Sequence, residues 1–204
     1  SDALGLALQC ALNSSQIMHI HDHIIINSLD HLTFLCNYLI RAYGTCGSIV
    51  EAQKVFVLTT QKSLITWNSV ISACARHWDG HGAMKIFASM MMMDPYDITL
   101  WPNDVTVISA LPACTLTPLQ DDIKLLHTYV VDASLASTNL SNALFSSYAK
   151  SGSLSDALHV FAVMQSRNEI SWNAVISMYV QENKHETALR YFKQMVLEGG
   201  HPGK

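Results

Sequence analysis

The sequence has little charge and no strongly basic segment. Charged residues make up 14% of its 204 residues, and 12 Lys and Arg face 16 Asp and Glu for a net charge of −4. No positive field is therefore expected to drive non-specific binding to nucleic acid, which counts against a ligand held mainly through phosphates. Apolar runs stay far below the roughly 20 residues that a membrane-spanning helix needs. Apolar residues still reach 50%, which supplies a core and excludes disorder.

Cysteine is scarce and unpaired, and the common catalytic motifs are absent. The five cysteines are odd in number and contain no C-x-x-C pair, which argues against a disulfide scaffold or a four-cysteine zinc site. We expect buried thiols in a reducing compartment. The sequence has no phosphate-binding glycine loop, no G-x-S-x-G elbow and no H-x-E with P-C-x-x-C. These absences predict a protein that is not an enzyme, with no cofactor and no metal.

A cluster of three histidines is the one candidate metal site. His19, His21 and His23 flank Asp22, and on a helix His19 and His23 would share a face. No second cluster of ligands accompanies them. We therefore expect one histidine to be partly buried between helices and the others to be solvated.

An internal repeat determines the architecture. When residues 34–72 are compared with those 105 positions further on, fifteen of 39 are identical, including Trp67 and Asn68 with Trp172 and Asn173. Each copy reads as two amphipathic helices. Gly47 ends the first helix, and Ser48 with Glu51 forms an S-x-x-E capping box for the second. The other copy repeats this with Gly152, Ser153 and Asp156.

Two-helix units of this size cannot bury their apolar faces alone, so they stack. The fold class expected is all-α, a right-handed superhelical solenoid of helix–turn–helix repeats. Pro95 and Pro102 place an inserted surface loop near residues 94–100, and the Met90–Met93 run reads as the helix end before it. The predicted divisions are a partial long repeat at 1–32, a short repeat at 33–63, a standard repeat with the inserted loop at 64–103, a long repeat at 104–137, a short repeat at 138–168 and a standard repeat at 169–203.

The motifs N-x-L-I, Y-x-x-x-G-S-x-x-x-A and W-N-x-x-I, in units of unequal length, resemble the plant pentatricopeptide repeat family. The subclass is the one that alternates standard, long and short motifs. The resemblance implies binding of single-stranded RNA in organellar RNA processing, such as editing, splicing or stabilisation. It also implies a mitochondrial or chloroplast location, with RNA-processing or editing proteins as further partners.

The resemblance further implies which side chains contact RNA. In the family, an asparagine of the first helix and the last residue of the repeat contact one base, while an apolar residue three positions before the asparagine packs on it. The base-contacting pairs would be Asn37 with Ser63, Asn68 with Asn103, Asn142 with Asn168, and Asn173 with Gly203. The packing positions would be Phe34, Ile65, Asn139 and Ile170. Such pairs suggest pyrimidines, and Ile108 in place of an asparagine suggests a repeat that only spaces.

Two other interpretations stay open at this point. A helical asparagine that recurs can be a structural hydrogen-bonding residue between stacked repeats. A tetratricopeptide-like protein-binding scaffold also uses two-helix units, at a constant period of 34 residues. The unequal repeat lengths and the recurring amide favour RNA over that scaffold, whereas the acidic balance favours the scaffold.

Overall fold

The computed structural model describes residues 2–10, 13–77, 79–93, 97–115 and 120–199, and these residues form helices and connecting turns without a β-strand. The all-α prediction is therefore confirmed. The chain divides into two compact units, Ser1–Leu116 and Thr117–Lys204. None of the helices in the described ranges is both long and apolar enough to cross a bilayer.

Both units are built from successive helices that pack in pairs. The first unit contains α1 (Asp2–Cys10), α2 (Ser14–Ile26), α3 (Thr33–Thr45), α4 (Ile49–Leu58), α5 (Leu64–Arg76), α6 (Gly80–Met91), a 3₁₀ helix (Ile98–Leu100) and α7 (Asp104–Cys114). The second contains α8 (Gln120–Asp132), α9 (Thr138–Lys150), α10 (Leu154–Val163), α11 (Glu169–Gln181) and α12 (His185–Leu197). The pairs α3–α4, α5–α6, α9–α10 and α11–α12 fall within the predicted repeats, whose boundaries stay predictions.

Glycine ends the first helix of each recurring hairpin, as expected. Gly47 has a φ of 79° and Gly152 a φ of 81°, in the left-handed region that favours glycine. After the turn, the Ser48 amide donates to the Tyr43 carbonyl at 2.9 Å, and Ser153 donates to Tyr148 at the same distance. These bonds satisfy carbonyls at the helix end that otherwise lack a partner.

The expected capping boxes at the second helices are wrong. Ser48 and Ser153 do precede α4 and α10, but neither side chain makes a capping hydrogen bond. Their ψ values are 63° and 66°, outside the extended region that is typical of a side-chain cap. The Ser48 hydroxyl instead contacts the Ser14 hydroxyl at 2.9 Å.

Aromatic side chains join each short hairpin to the next first helix. The Phe56 and Trp67 rings meet edge-on with centroids 4.8 Å apart, and Phe161 meets Trp172 at 5.1 Å. Both tryptophans are buried. This contact explains why V-F and W-N recur together, because the phenylalanine of one hairpin packs on the tryptophan of its neighbour.

The first helices lie side by side within the first unit, α3 against α5 and α5 against α7. Helices α3 and α5 approach closely at Gly44, where an added methyl group would lie 2.7 Å from the Ala73 Cβ. Only the missing side chain lets α3 and α5 come this close. The Met90–Met93 run ends α6, as expected, while Pro95 of the predicted insertion lies outside the described residues.

One histidine of the cluster packs between helices. His21 is half-buried and lies 3.1 Å from the Tyr43 hydroxyl through Nδ1, whereas His19 and His23 are exposed, as predicted. Burial lowers the pKa of His21 and raises that of Tyr43 to about 12. The described part of the chain holds no group of three metal-ligating side chains.

The second unit has an equivalent pair, and the cysteines follow their prediction only in part. His127 contacts Tyr148 at 3.0 Å, and burial lowers the pKa of His127 and raises that of Tyr148 to about 12. None of the five cysteines, which all lie in the described ranges, is in a disulfide. Cys36, Cys74 and Cys114 are buried, Cys46 is partly buried, and Cys10 is exposed, contrary to expectation.

Candidate nucleic-acid interface

The first helices α3, α5 and α7 of the first unit line a shallow groove of about 320 Å³. The α5 residues Ile65 and Asn68 lie in it, and Val105 lines it from α7. Arg41 of α3 and Arg76 of α5 are exposed lining residues and form no ion pair with any described residue. The groove thus combines an amide, aliphatic surface and two cations free to meet an anion.

Exposed apolar side chains occupy the predicted packing positions. Ile65 is 62% exposed, Ile170 63% and Phe34 39%, each in the first turn of a first helix. Asn139, at the same position in α9, is also exposed. Exposure of an isoleucine to this degree leaves apolar area for a planar ligand to cover.

Val105 is an exposed aliphatic side chain at the position equivalent to Ile65, and the sequence reasoning did not single it out. Val105, 55% exposed, lies in the first turn of α7, three residues before Ile108. Val105 has the same spacing to Ile108 that Ile65 has to Asn68. Because the position of Ile108 carries no asparagine, that spacing was not recognised in the sequence. Ile108 itself is partly buried on α7, so that repeat presents an aliphatic position without an amide.

The residues that end three repeats are helix caps, a role that the sequence reasoning missed. Ser63, Asn103 and Asn168 precede α5, α7 and α11, and the side-chain oxygen of each accepts the backbone N–H three residues later, at 3.3, 3.1 and 3.0 Å. The third residue returns a hydroxyl contact to the cap backbone, which completes a capping box. These hydroxyls belong to Thr66, Thr106 and Ser171.

A sequence signal for these caps was available. Each cap residue is Ser or Asn and is followed three positions later by Thr or Ser, just before the apolar periodicity of a first helix. The expected S-x-x-E pattern at Ser48 drew attention to the second helices instead. Three side chains that the resemblance assigns to base contact therefore form helix caps in the structure.

One of the predicted base-contacting pairs is in direct contact. The Asn142 side-chain amide donates from Nδ2 to Asn168 Oδ1 at 3.1 Å, and the Ser171 hydroxyl donates to Asn142 Oδ1 at 2.7 Å. The Asn142 amide is therefore bonded at both ends.

The other predicted pairs differ from this one. The Oδ1 atoms of Asn37 and Asn68 are buried and have no hydrogen-bond partner in the described part of the chain, so neither amide is bonded through its oxygen to Ser63 or Asn103. Asn173 is exposed on α11, and its predicted partner Gly203 lies outside the described residues. The structure thus brings Asn142 and Asn168 into contact, whereas the side-chain oxygens of Asn37 and Asn68 are not bonded to their predicted partners.

Comparison with known proteins identifies similar repeats. The family model for the PPR repeat matches residues 34–59, 65–94, 141–169 and 170–200, which together are more than half of the chain. A chloroplastic pentatricopeptide repeat-containing protein of Arabidopsis thaliana is 31% identical over 184 residues, which are 90% of this chain and 22% of that protein. A mitochondrial one is also 31% identical over 184 residues, 90% of this chain and 28% of that protein.

The chain spans about a quarter of the length of these curated relatives. Their names agree with the organellar location expected from the sequence, chloroplast or mitochondrion. Among solved structures, the pentatricopeptide repeat protein PPR10 from maize is 17% identical with a TM-score of 0.43, over 98% of this chain and 39% of that one. The same maize protein has been solved in complex with an 18-nt psaJ RNA element.

Proposed function

Because the chain belongs to the pentatricopeptide repeat family, we propose that it binds single-stranded RNA along its first helices. Repeats of this kind read about one base each through two or three side chains. The binding residues proposed are the pairs Asn37 with Ser63, Asn68 with Asn103 and Asn142 with Asn168, together with Asn173 and the packing residues Phe34, Ile65 and Ile170.

The groove around Asn68 is the observation that best supports this proposal. Ile65 and Val105 offer aliphatic surface on either side of the amide, and unpaired bases stack on such surface whatever their sequence. An amide supplies both a donor and an acceptor to a base edge. Arg41 and Arg76 lie within the same groove and have no acidic partner among the described residues, so they are available to phosphates.

The buried oxygen of Asn68 also favours a ligand. A buried acceptor without a partner costs free energy, about 1–3 kcal/mol. Turning the amide toward a bound base gives that oxygen a donor.

We extend the proposal to the biological role that the sequence predicted. The chain is an RNA-binding adaptor, non-catalytic itself, that acts in organellar RNA processing by editing, splicing or stabilisation. Its expected targets are pyrimidine-rich, and RNA-processing or editing proteins are its expected further partners. Because the chain spans only part of its relatives, the activity of the whole protein belongs to this proposal too.

The proposal is tested with a pool of randomised single-stranded RNA, bound at several salt concentrations to the wild type and to Asn68→Ala. We expect enrichment of pyrimidines and a roughly two- to tenfold loss of affinity in the variant, the value of one neutral hydrogen bond. Gln194→Ala is the matched control, because it removes an exposed amide from the second helix α12. The control should leave binding unchanged.

The same experiment separates RNA binding from the protein-binding alternative. A protein-binding scaffold would enrich no RNA sequence at any salt concentration, and Asn68→Ala would behave as the wild type does. Either result contradicts the proposal. A shallow salt dependence is expected even for specific binding, because the chain carries few cations to displace counterions from RNA.

A further inference from the structure

The capping boxes determine which atom of the Asn103 and Asn168 amides, Oδ1 or Nδ2, is available to a ligand. A backbone N–H can only donate, so the cap atom that accepts the Ser171 N–H at 3.0 Å must be the Asn168 oxygen. The same argument assigns the oxygen of Asn103, which accepts the Thr106 N–H. In both caps the oxygen is engaged, and Nδ2 is the end left for a ligand.

The orientation of the Asn168 amide determines that of the Asn142 amide. The Asn168 oxygen already accepts from the Ser171 backbone, so the Asn142 amide must turn a donor toward it, and it does so at 3.1 Å. The reverse orientation would set two oxygens against each other. Asn142 Oδ1 then points to the Ser171 hydroxyl, which is buried and lies 2.7 Å away.

Ser171 has one hydroxyl proton and two acceptors within reach. Asn142 Oδ1 is nearer, at 2.7 Å against 3.0 Å for Asn168 Oδ1, and the Asn168 oxygen already has two N–H donors. The Ser171 hydroxyl therefore donates its proton to Asn142 Oδ1. With both ends bonded, that amide cannot turn about its terminal torsion without losing two hydrogen bonds.

The two threonines equivalent to Ser171 donate no hydrogen bond to the amide oxygen of the asparagine in the preceding repeat. The Thr106 hydroxyl donates to Asn103 Oδ1 at 3.1 Å, and the Thr66 hydroxyl contacts Ser63 Oγ at 3.0 Å. Both hydroxyls serve the cap, and the oxygens of the two preceding asparagines stay without a partner. These asparagines are Asn37 and Asn68.

We propose that Ser171 is a positioning residue for base selection: it holds the Asn142 amide in one orientation. The inference rests on the proposed function. Cytosine presents an amino donor where uracil presents a carbonyl acceptor. An amide free to turn accommodates either pyrimidine, whereas a fixed amide matches one hydrogen-bonding pattern. The repeat with Asn142 therefore discriminates between the two pyrimidines more sharply than the repeat with Asn68.

The test measures base preference at individual RNA positions, from randomised single-stranded RNA bound to this chain. Asn68→Ala and Asn142→Ala each abolish selection at one RNA position, which identifies the base that each amide contacts. In the wild type, the ratio between cytosine and uracil should be further from one at the Asn142 position than at the Asn68 position. Ser171→Ala should bring the Asn142 ratio toward one by about two- to tenfold, the value of one hydrogen bond.

Thr106→Ala is the matched control. Thr106 stands to Asn68 as Ser171 stands to Asn142, and Thr106→Ala removes the equivalent capping-box hydroxyl. The loss of stability in urea unfolding should therefore be similar. The Thr106 hydroxyl, however, does not contact the Asn68 oxygen. Its pyrimidine ratio at the Asn68 position should stay at the wild-type value. A role limited to helix capping would predict the same behaviour for both variants.

The outcomes separate the two proposals. Wild-type ratios that are equal at the two positions overturn the inference, and they do so even if Ser171→Ala fails to fold. A folded Ser171→Ala variant with an unchanged Asn142 ratio also overturns it. Absence of any RNA selection by the wild type contradicts the proposed function itself, and the inference with it.

Discussion

Replacement of Gly44 by alanine should destabilise the first unit and disturb its groove. Gly44 lies in the last turn of α3, where it is buried against α5, and both it and Ala73 line the groove. The added methyl carbon would lie 2.7 Å from the Ala73 Cβ and 3.4 Å from its Cα. Carbon atoms in favourable contact are about 3.5–4.0 Å apart. The two helices must therefore separate by roughly 1 Å at this point.

The size of the effect follows from two opposing contributions. Overpacking of a close helix contact typically costs about 1–3 kcal/mol. Glycine to alanine in a helix recovers up to about 1 kcal/mol through propensity. A contact of 2.7 Å is severe, so we take the upper part of the overpacking range, about 2–3 kcal/mol. After the recovery of about 1 kcal/mol, the free energy of unfolding should fall by about 1–2 kcal/mol. The separated helices also widen the groove, so affinity for the selected RNA should fall.

The double variant Gly44→Ala, Ala73→Gly moves the methyl group from one helix to the other and should be close to the wild type in stability. Urea unfolding of the wild type, both single variants and the double variant forms a double-mutant cycle that isolates the contact. A single Gly44→Ala variant as stable as the wild type would refute the reasoning. So would equal effects of Gly44→Ala in the presence and absence of the Ala73 methyl group.

Three further predictions concern other parts of the chain. Ser134 has a φ of 54°, so Ser134→Gly should raise the free energy of urea unfolding by about 0.5–1 kcal/mol, and an unchanged value would contradict this. Burial lowers the pKa of His21 and His127, so their contribution to stability is present above pH 6.5 and is lost as the pH falls through their folded-state pKa. Glutamine at both positions should flatten thermal stability between pH 7 and 5, and an unaltered slope would exclude these histidines. Asn103→Asp keeps the acceptor that caps α7 but removes the Nδ2 donors. Thermal stability should therefore stay at the wild-type value, while the base preference of the bound RNA, read by sequencing, should change.

The repeat architecture followed from the sequence because its signals are local and occur twice. A left-handed glycine such as Gly47 and the apolar periodicity of each helix are dictated by backbone sterics and burial, which act within a few residues. Chain composition was enough to exclude a membrane helix and disorder.

The detailed chemistry of the site did not follow, because it depends on distances between neighbouring repeats. Sequence reasoning paired Asn142 with Asn168 by resemblance but gave no place to Ser171, whose hydroxyl reaches Asn142 only after α9 and α11 pack together. It also assigned a capping role to Ser48 and none to Asn103, because an N-cap depends on the backbone conformation of the turn before it. Similar sequence patterns therefore gave different hydrogen bonds.

The junction between consecutive repeats has a consequence for how such chains change in evolution. The cap is contributed by the last residue of one predicted repeat and its answering hydroxyl by the next, as with Asn103 and Thr106. A recombination or engineering event that joins repeats at this boundary separates the two halves of the box. The compatible unit of exchange is therefore a segment cut within a hairpin, and a library of interchangeable modules should be divided there.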